Sequence, residues 1–308
     1  MPAQEAITSV ADLLESQDYS LTVVLAGAND IRRLQLSTAV AGSIKEALAG
    51  NAESLKESLP VPYSPGYKPD THQLASLEIP TNQSVSSTLI SLQSIDSLPL
   101  YQGDDDFISS LSFYALDISN GTDRLILFKR TNAKLELSRR FPHAAIFSGG
   151  QFDKVTQKTL LLDADFDCIA KDEDLLIRRV PAFESIFGYF DELKANANAT
   201  LDLVLGHIKI KNYDEFRKAC TGQIQMLAKL ANIASKPYLA TLTMDSVKKT
   251  ASDFGVQLSF ETNSSGEEEL VFDPSPSGRW LVLKILDDDY LRSPMTTLKY
   301  ETNSKLQV

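Results

Sequence analysis

Apolar and polar positions along this chain fall into runs whose period changes several times. Residues 3–17 place Ile7, Val10, Ala11 and Leu14 at helical spacing, which predicts a short amphipathic helix. Residues 21–26 are continuously apolar and predict a buried strand, closed by the breakers Gly27-Ala28-Asn29-Asp30. A polar-alternating strand is expected over 32–36. Ser37 or Thr38 then caps a helix running to about residue 59. Prolines 60, 62, 65 and 69 with Gly66 make 60–72 a loop. Residues 74–79 read as a strand and 84–95 as a helix. Residues 111–118 and 125–129 flank Asn120-Gly121, the sharpest hairpin signal in the sequence, because Asn-Gly accepts the positive φ angles of a type I′ turn.

The pattern is densest over 152–189. Residues 159–162, 166–170 and 175–180 are apolar and β-favouring, with Asp172, Glu173 and Asp174 where a tight turn falls. Then the period changes. Pro181 suits a first helical turn, and Phe183, Ile186, Phe187 and Phe190 follow at helical spacing. The expectation is a hairpin covered by an aromatic-rich helix that continues to residue 193 or 205. Residues 207–211 are a short strand or a link. Residues 213–234 predict one long helix through Phe216, Cys220, Ile224, Leu227, Leu230 and Ala231. A helix over 244–254 has Thr243 or Asp245 as its cap and Gly255 as its stop. Residues 256–261 and 269–272 read as a hairpin, 280–286 as a helix, and the tail beyond Tyr300 as fraying. The fold class is α+β, with two domains, each an antiparallel sheet with packed helices. Composition turns basic near Arg139-Arg140, which places the boundary between 1–138 and 139–308.

An apolar content of 43% and a charged content of 23% are globular values. No apolar run approaches the roughly 18–20 residues that span a bilayer, and the opening MPAQEAITSV lacks the basic-then-apolar order of a signal peptide. A cytoplasmic location without membrane insertion is therefore expected. Cys168 and Cys220 lie far apart and only three histidines exist, so no zinc site and no cofactor is expected, and both cysteines read as small buried hydrophobes. The net charge of −11 opposes general affinity for nucleic acid, since phosphate binding releases counterions to Lys and Arg. That charge is uneven: 1–138 hold 9 Lys+Arg against 17 Asp+Glu, and 139–308 hold 21 against 24.

Two acidic groups suggest chemistry. Asp163, Asp165 and Asp167 share a face if they lie on a strand, the geometry of a divalent-cation site, but Cys168 replaces the glycine a calcium loop requires. A solvent-facing strand row is preferred. Asp287-Asp288-Asp289, with Glu301 and Lys305 downstream, raises a metal-dependent nuclease. Consecutive aspartates on a helix diverge by about 100° each, so a turn or helix-terminus cluster is preferred. The triple Asp104-Asp105-Asp106 reads as a solvated turn. Gly27 and Gly149-Gly150 lack any phosphate-loop frame, and no GxSxG elbow is present, so no catalytic residue is assigned. The cations are more suggestive. Arg178, Arg179, Lys209, Lys211, Arg217, Lys218, Lys229, Lys248 and Lys249, with Lys236 among them, fall in one region. Lys218 and Lys229 are expected about three turns apart on one helix face. Converged, these nine positions form a nucleic-acid-binding patch that reads the backbone, hence sequence-independent and salt-sensitive.

Two stretches carry a resemblance. The acid-rich strand ending Phe166-Asp167-Cys168-Ile169, the short strand after it and Phe183-Glu184-Ser185-Ile186-Phe187 form the first. Leu283-Lys284-Ile285-Leu286-Asp287-Asp288-Asp289-Tyr290-Leu291, followed by Ser293, Thr296, Thr297, Tyr300, Glu301, Ser304 and Lys305, forms the second. Together they resemble the KwaB-type proteins of the Kiwa anti-phage system. The resemblance implies a cytosolic component of a two-protein bacterial defence system, a KwaA-like membrane partner that recruits it to the inner face of the membrane, binding of phage DNA that impedes replication, and a homodimer. It supplies no catalytic residues. A metal-dependent nuclease and a non-catalytic adaptor, whose acidic N-terminal half docks a basic loop of the partner, stand as the alternatives.

Overall fold

The computed structural model describes residues 3–302 except 29, 66, 104, 132–144, 149–150, 155–161 and 235, with backbone alone for 105, 145–148 and 151–154. The chain divides into two compact units, Met1–Tyr63 with Pro69–Gly188, and Ser64–Lys68 with Tyr189–Val308. The boundary expected between 138 and 139 lies outside the described residues, as do most of the strand expected over 159–162, Arg139-Arg140 and Gly149-Gly150.

The first unit is built on an eight-stranded sheet. Its strands are β1 (Ser20–Gly27), β2 (Ile31–Leu34), β3 (Leu59–Pro62), β4 (Gln73–Glu78), β5 (Leu111–Ser119), β6 (Arg124–Arg130), β9 (Cys168–Lys171) and β10 (Asp174–Ile177). A separate hairpin pairs β7 (Ala145–Ser148) with β8 (Gln151–Lys154). The spatial order of the large sheet is β2-β1-β5-β6-β9-β10-β4-β3. All neighbours run antiparallel except β3 and β4, which run parallel at one edge. The loop expected over 60–72 therefore begins as an edge strand. Leu59 and Tyr63 donate their amides to His72 and Ser76, so Pro60 and Pro62 fall where β4 asks for no donor.

Helices Ala3–Ser16 and Thr38–Lys56 cover one face of this sheet, where Leu125, Leu127, Leu116 and Ile118 join Ile7, Val10, Leu14 and Leu48. The alternate row faces the aromatic helix Val180–Ile186, and Phe128 meets Phe187 edge-on at 5.1 Å between centroids. Both faces are buried, which is why β6, β9 and β10 read as continuous apolar runs rather than alternating ones.

Two details of the hairpins differ from expectation. The Asn120-Gly121 turn is a four-residue loop between the paired residues Ser119 and Arg124, closed by the Asn120 amide on the Asp123 carbonyl at 3.1 Å. Of its residues Gly121 alone has positive φ, at 92°, so the type I′ turn is not formed; Asn120 Oδ1 instead accepts from the amides of Thr122 and Asp123. At the end of β1, Gly27 sits at a register shift against β5, where a Cβ would lie 2.9 Å from Ser110 Oγ and 3.1 Å from the Phe107 ring. The described part of the acidic triple, Asp105 and Asp106, opens a short helix, Asp105–Ser109.

Two glycines end helices that the periodicity carries onward. The aromatic helix stops at Ile186, because Gly188 takes a left-handed φ of 63°, and a new helix, Tyr189–His207, begins beyond it. Phe190, expected on the aromatic stripe, is exposed. The single helix expected over 213–234 is two, Tyr213–Thr221 and Ile224–Ala234, parted at Gly222.

The second unit packs these helices with Met244–Phe254 and Leu281–Leu286 around Phe216, Phe272, Leu227, Leu230 and Leu283. Its sheet has the order β11-β13-β12, with β11 (Ile210–Lys211) parallel to β13 (Glu268–Val271) and β12 (Ser259–Thr262) antiparallel to it. A last hairpin pairs β14 (Tyr290–Arg292) with β15 (Lys299–Glu301). The loop Ser64–Lys68 belongs to this unit because Asn232 grips it: Asn232 Nδ2 donates to the Pro65 carbonyl at 2.7 Å, and Ser64 Oγ donates to Asn232 Oδ1 at 3.2 Å. Helix Met244–Phe254 is held by a capping box between Thr243 and Ser246 and closed by Gly255 at φ 71°. Thr243→Ala is expected to cost about 1 kcal/mol in urea unfolding, whereas Thr243→Ser is expected to be close to neutral.

Candidate functional site

Charged side chains in both units gather around a lysine inserted among apolar residues. In the first unit that lysine is Lys129, which follows the apolar run 125–128 on strand β6 and is buried with it. Its ammonium lies 2.9 Å from Asp165, 3.6 Å from Asp167 and 3.7 Å from Asp163. Arg178 and Arg179, just after β10, close the group. Each reaches Asp165, at 2.6 and 2.9 Å, and Arg179 Nε lies 3.5 Å from Asp167. The aspartates are not a strand row, since 163–167 precede β9, and Asp167 is buried instead of facing solvent. Its Oδ2 accepts the Arg130 amide at 2.8 Å, and its own amide donates to Phe128, so the residue extends the β6 ladder with its side chain. Burial alone raises the Asp165 carboxyl, but the Lys129 hydrogen bond and the charges of Lys129, Arg178 and Arg179 outweigh it and hold the group below the ordinary range. Three carboxylates and three cations thus neutralise one another.

The second unit repeats the device with Lys229, on helix Ile224–Ala234. Its ammonium donates to Asp287 at 2.9 Å and to Asp289 at 2.5 Å, and both carboxylates are 2% exposed. The chain can turn both inward because Asp288 between them adopts φ 62°. Lys284 pairs with Glu301 on β15. The acidic triple is a helix-terminus turn folded onto a lysine. Among the described residues, no group of three or more His, Cys, Asp or Glu side chains is placed to hold a metal ion.

The nine basic positions separate by unit. Arg178 and Arg179 stand in the first and the other seven in the second. On the open face of the small sheet, Lys209 pairs with Glu267 and Lys211 with Glu261. The Lys211 hydrogen bond to Glu261 raises that ammonium above its ordinary pKa, and the Lys209 hydrogen bond lowers the Glu267 carboxyl. Lys248 pairs with Glu268 and covers the Phe260 ring. Arg217 donates to Asn198 Oδ1 at 3.0 Å. Lys218 and Lys249 are exposed and make no ion pair among the described residues. Lys218 and Lys229 share no helix face, because Gly222 ends the first helix between them.

Lys129 was not singled out as a site residue by spacing, and Lys229 was singled out as a surface cation. The signal for both is the same: a lone lysine at an apolar-face position implies a buried acidic partner. Cys168 and Cys220 are both buried free thiols, pushed up in pKa by burial, Cys220 to about 12.

What the geometry defines is an α+β protein whose acidic motifs are locked onto central lysines. The family described as Kiwa protein KwaB-like matches residues 108–296, more than half of the chain, and the chain belongs to that family. Membership implies a component of Kiwa anti-phage defence and a partnership with KwaA. No match was found among curated proteins or among solved structures. No helix among the described residues is long and apolar enough to cross a membrane.

Proposed function

We propose that this chain is the DNA-engaging member of its two-protein defence system, a homodimer held at the inner face of the membrane by its KwaA-type partner. Family membership carries this reading. Charge distribution supports it: the first unit holds 15 Lys+Arg against 25 Asp+Glu, the second 15 against 16. A phosphate backbone is repelled far less by the second. There Lys218 and Lys249 make no ion pair among the described residues, and Lys209, Lys211 and Lys248 sit in solvent-screened surface pairs, so exchanging a glutamate for a phosphate costs little. Arg178 and Arg179 add a similar partly exposed pair in the first unit. Lys229, locked between two buried carboxylates, serves the core. Contacts of this kind touch phosphate and leave the bases unread.

The test is anisotropy of labelled duplexes of unrelated sequence with the full chain between about 50 and 200 mM salt. Affinity is expected to fall steeply and equally for every sequence. Lys218→Glu and Lys249→Glu are each expected to lower the salt slope by about one. Binding that is indifferent to ionic strength, or missing at low salt, rejects the reading.

A further inference from the structure

The turn that commits Asp287 and Asp289 to Lys229 leaves Asp288 on the opposite side, exposed and with no ion pair among the described residues. There it lines a cavity of about 230 Å³ in the second unit, between the start of helix Met244–Phe254 and the end of helix Leu281–Leu286. The floor is apolar: Leu242, Val247, Ile285 and Leu286. Four hydroxyls complete the lining, and each has already spent its hydrogen on a backbone carbonyl. Tyr238 donates to Leu286, Thr241 to Tyr238 at 3.1 Å, Ser246 to Thr243 at 2.7 Å and Thr250 to Ser246 at 3.0 Å. Two amides of the adjoining helix start are spent as well, Ser246 on Thr243 Oγ1 and Val247 on the Thr243 carbonyl.

What these groups still offer a ligand is lone pairs and one carboxylate, without donors. The local field agrees, since burial first and then Asp288, Asp287 and Asp289 push the Tyr238 phenol well above its ordinary pKa. Among these groups an anion or a neutral acceptor finds no free donor. We propose that this cavity takes a primary ammonium or a guanidinium on an apolar stem, with Asp288 as its counter-ion. A volume of this size suits one such chain. The same chemistry arrives from two sources, the lysine or arginine side chain of a partner protein or a free polyamine.

The test titrates the full chain, by calorimetry or ligand-observed NMR, with butylammonium, Nα-acetyl-lysine N-methylamide and spermidine, using 1-butanol as the uncharged control. Saturable binding of an ammonium probe is expected, with at least about a tenfold loss in Asp288→Asn, the size of one charge-assisted hydrogen bond. Asparagine accepts the left-handed backbone as aspartate does, so the variant keeps the turn, and an unchanged Tm verifies this. Tighter binding of the lysine derivative assigns the site to a protein partner, and tighter binding of spermidine to a free amine. Equal binding by wild type and Asp288→Asn, equal binding of 1-butanol and butylammonium, or no ammonium binding at all overturns the proposal.

Discussion

Replacing Lys229 by methionine will cost about 3–5 kcal/mol of stability, because it strands two buried carboxylates. Asp287 and Asp289 are each 2% exposed, and the Lys229 ammonium touches both. Methionine keeps the length of the stem and removes only the charge. Trp280 is the single tryptophan of the chain and packs on the same core, so its fluorescence in urea reports the loss directly. The triple variant Lys229→Met, Asp287→Asn, Asp289→Asn is expected to recover most of it, since a buried ion cluster exceeds a neutral replacement by little. A Lys229→Met midpoint within experimental error of wild type refutes the assignment. The alkaline side gives a second check. Burial opposes the Lys229 charge, but the hydrogen bonds it donates to Asp289 and Asp287 and the charges of those carboxylates prevail, and its folded pKa is raised. The cluster is therefore at full strength below the ordinary lysine value of about 10.5 and is lost as pH climbs through the folded value. Unfolding should steepen above about pH 10.5, and Lys229→Met should remove that share of the steepening.

The second large effect is expected at Phe183. Its ring is fully buried, 5.1 Å from Tyr63 and 5.6 Å from Phe187, and Phe187 continues to Phe128 and Phe113. These five rings fasten helix Val180–Ile186 to the sheet through β6. Phe183→Ala removes the central ring and leaves a cavity among side chains fixed to a rigid sheet, so about 3–5 kcal/mol is expected. Phe183→Leu should cost less than half of that. Far-UV circular dichroism in urea measures both. Equal midpoints for Phe183→Ala and wild type contradict this role for the ring.

Most elements were legible because their cues are local. The stripe Ile7-Val10-Ala11-Leu14, the cap at Ser37, the capping residue Thr243 and the stop at Gly255 all act within a few residues. Periodicity failed at Gly188 and Gly222, where an apolar stripe resumes in phase after a break and a single glycine is weak evidence against continuity. The proline segment misled for another reason. Edge position excuses prolines from donating, and only the completed sheet shows where the edge is.

The charged clusters were the least legible. Asp287 and Asp289 lie nearly sixty positions from Lys229, and Asp165 lies well over thirty from Lys129. The aspartates drew attention for their spacing to one another, which proved incidental, while the lysines that organise them looked like ordinary surface residues. The family match adds a related observation. It begins at residue 108, so β5, β6, β9 and β10, the four central strands, lie inside it, while β2-β1 on one flank and β4-β3 on the other lie outside.

That strand order has a bearing on how the protein is made. The β9–β10 hairpin wedges between β6 and β4, although β4 is synthesised roughly a hundred residues earlier, on the order of 5–20 s at ordinary translation rates. Until residue 177 clears the ribosome, β6 and β4 each present an apolar, unpaired rim to the surrounding medium. The nascent chain must wait with its largest sheet split in two, which makes it a natural client for chaperones that shield open strands.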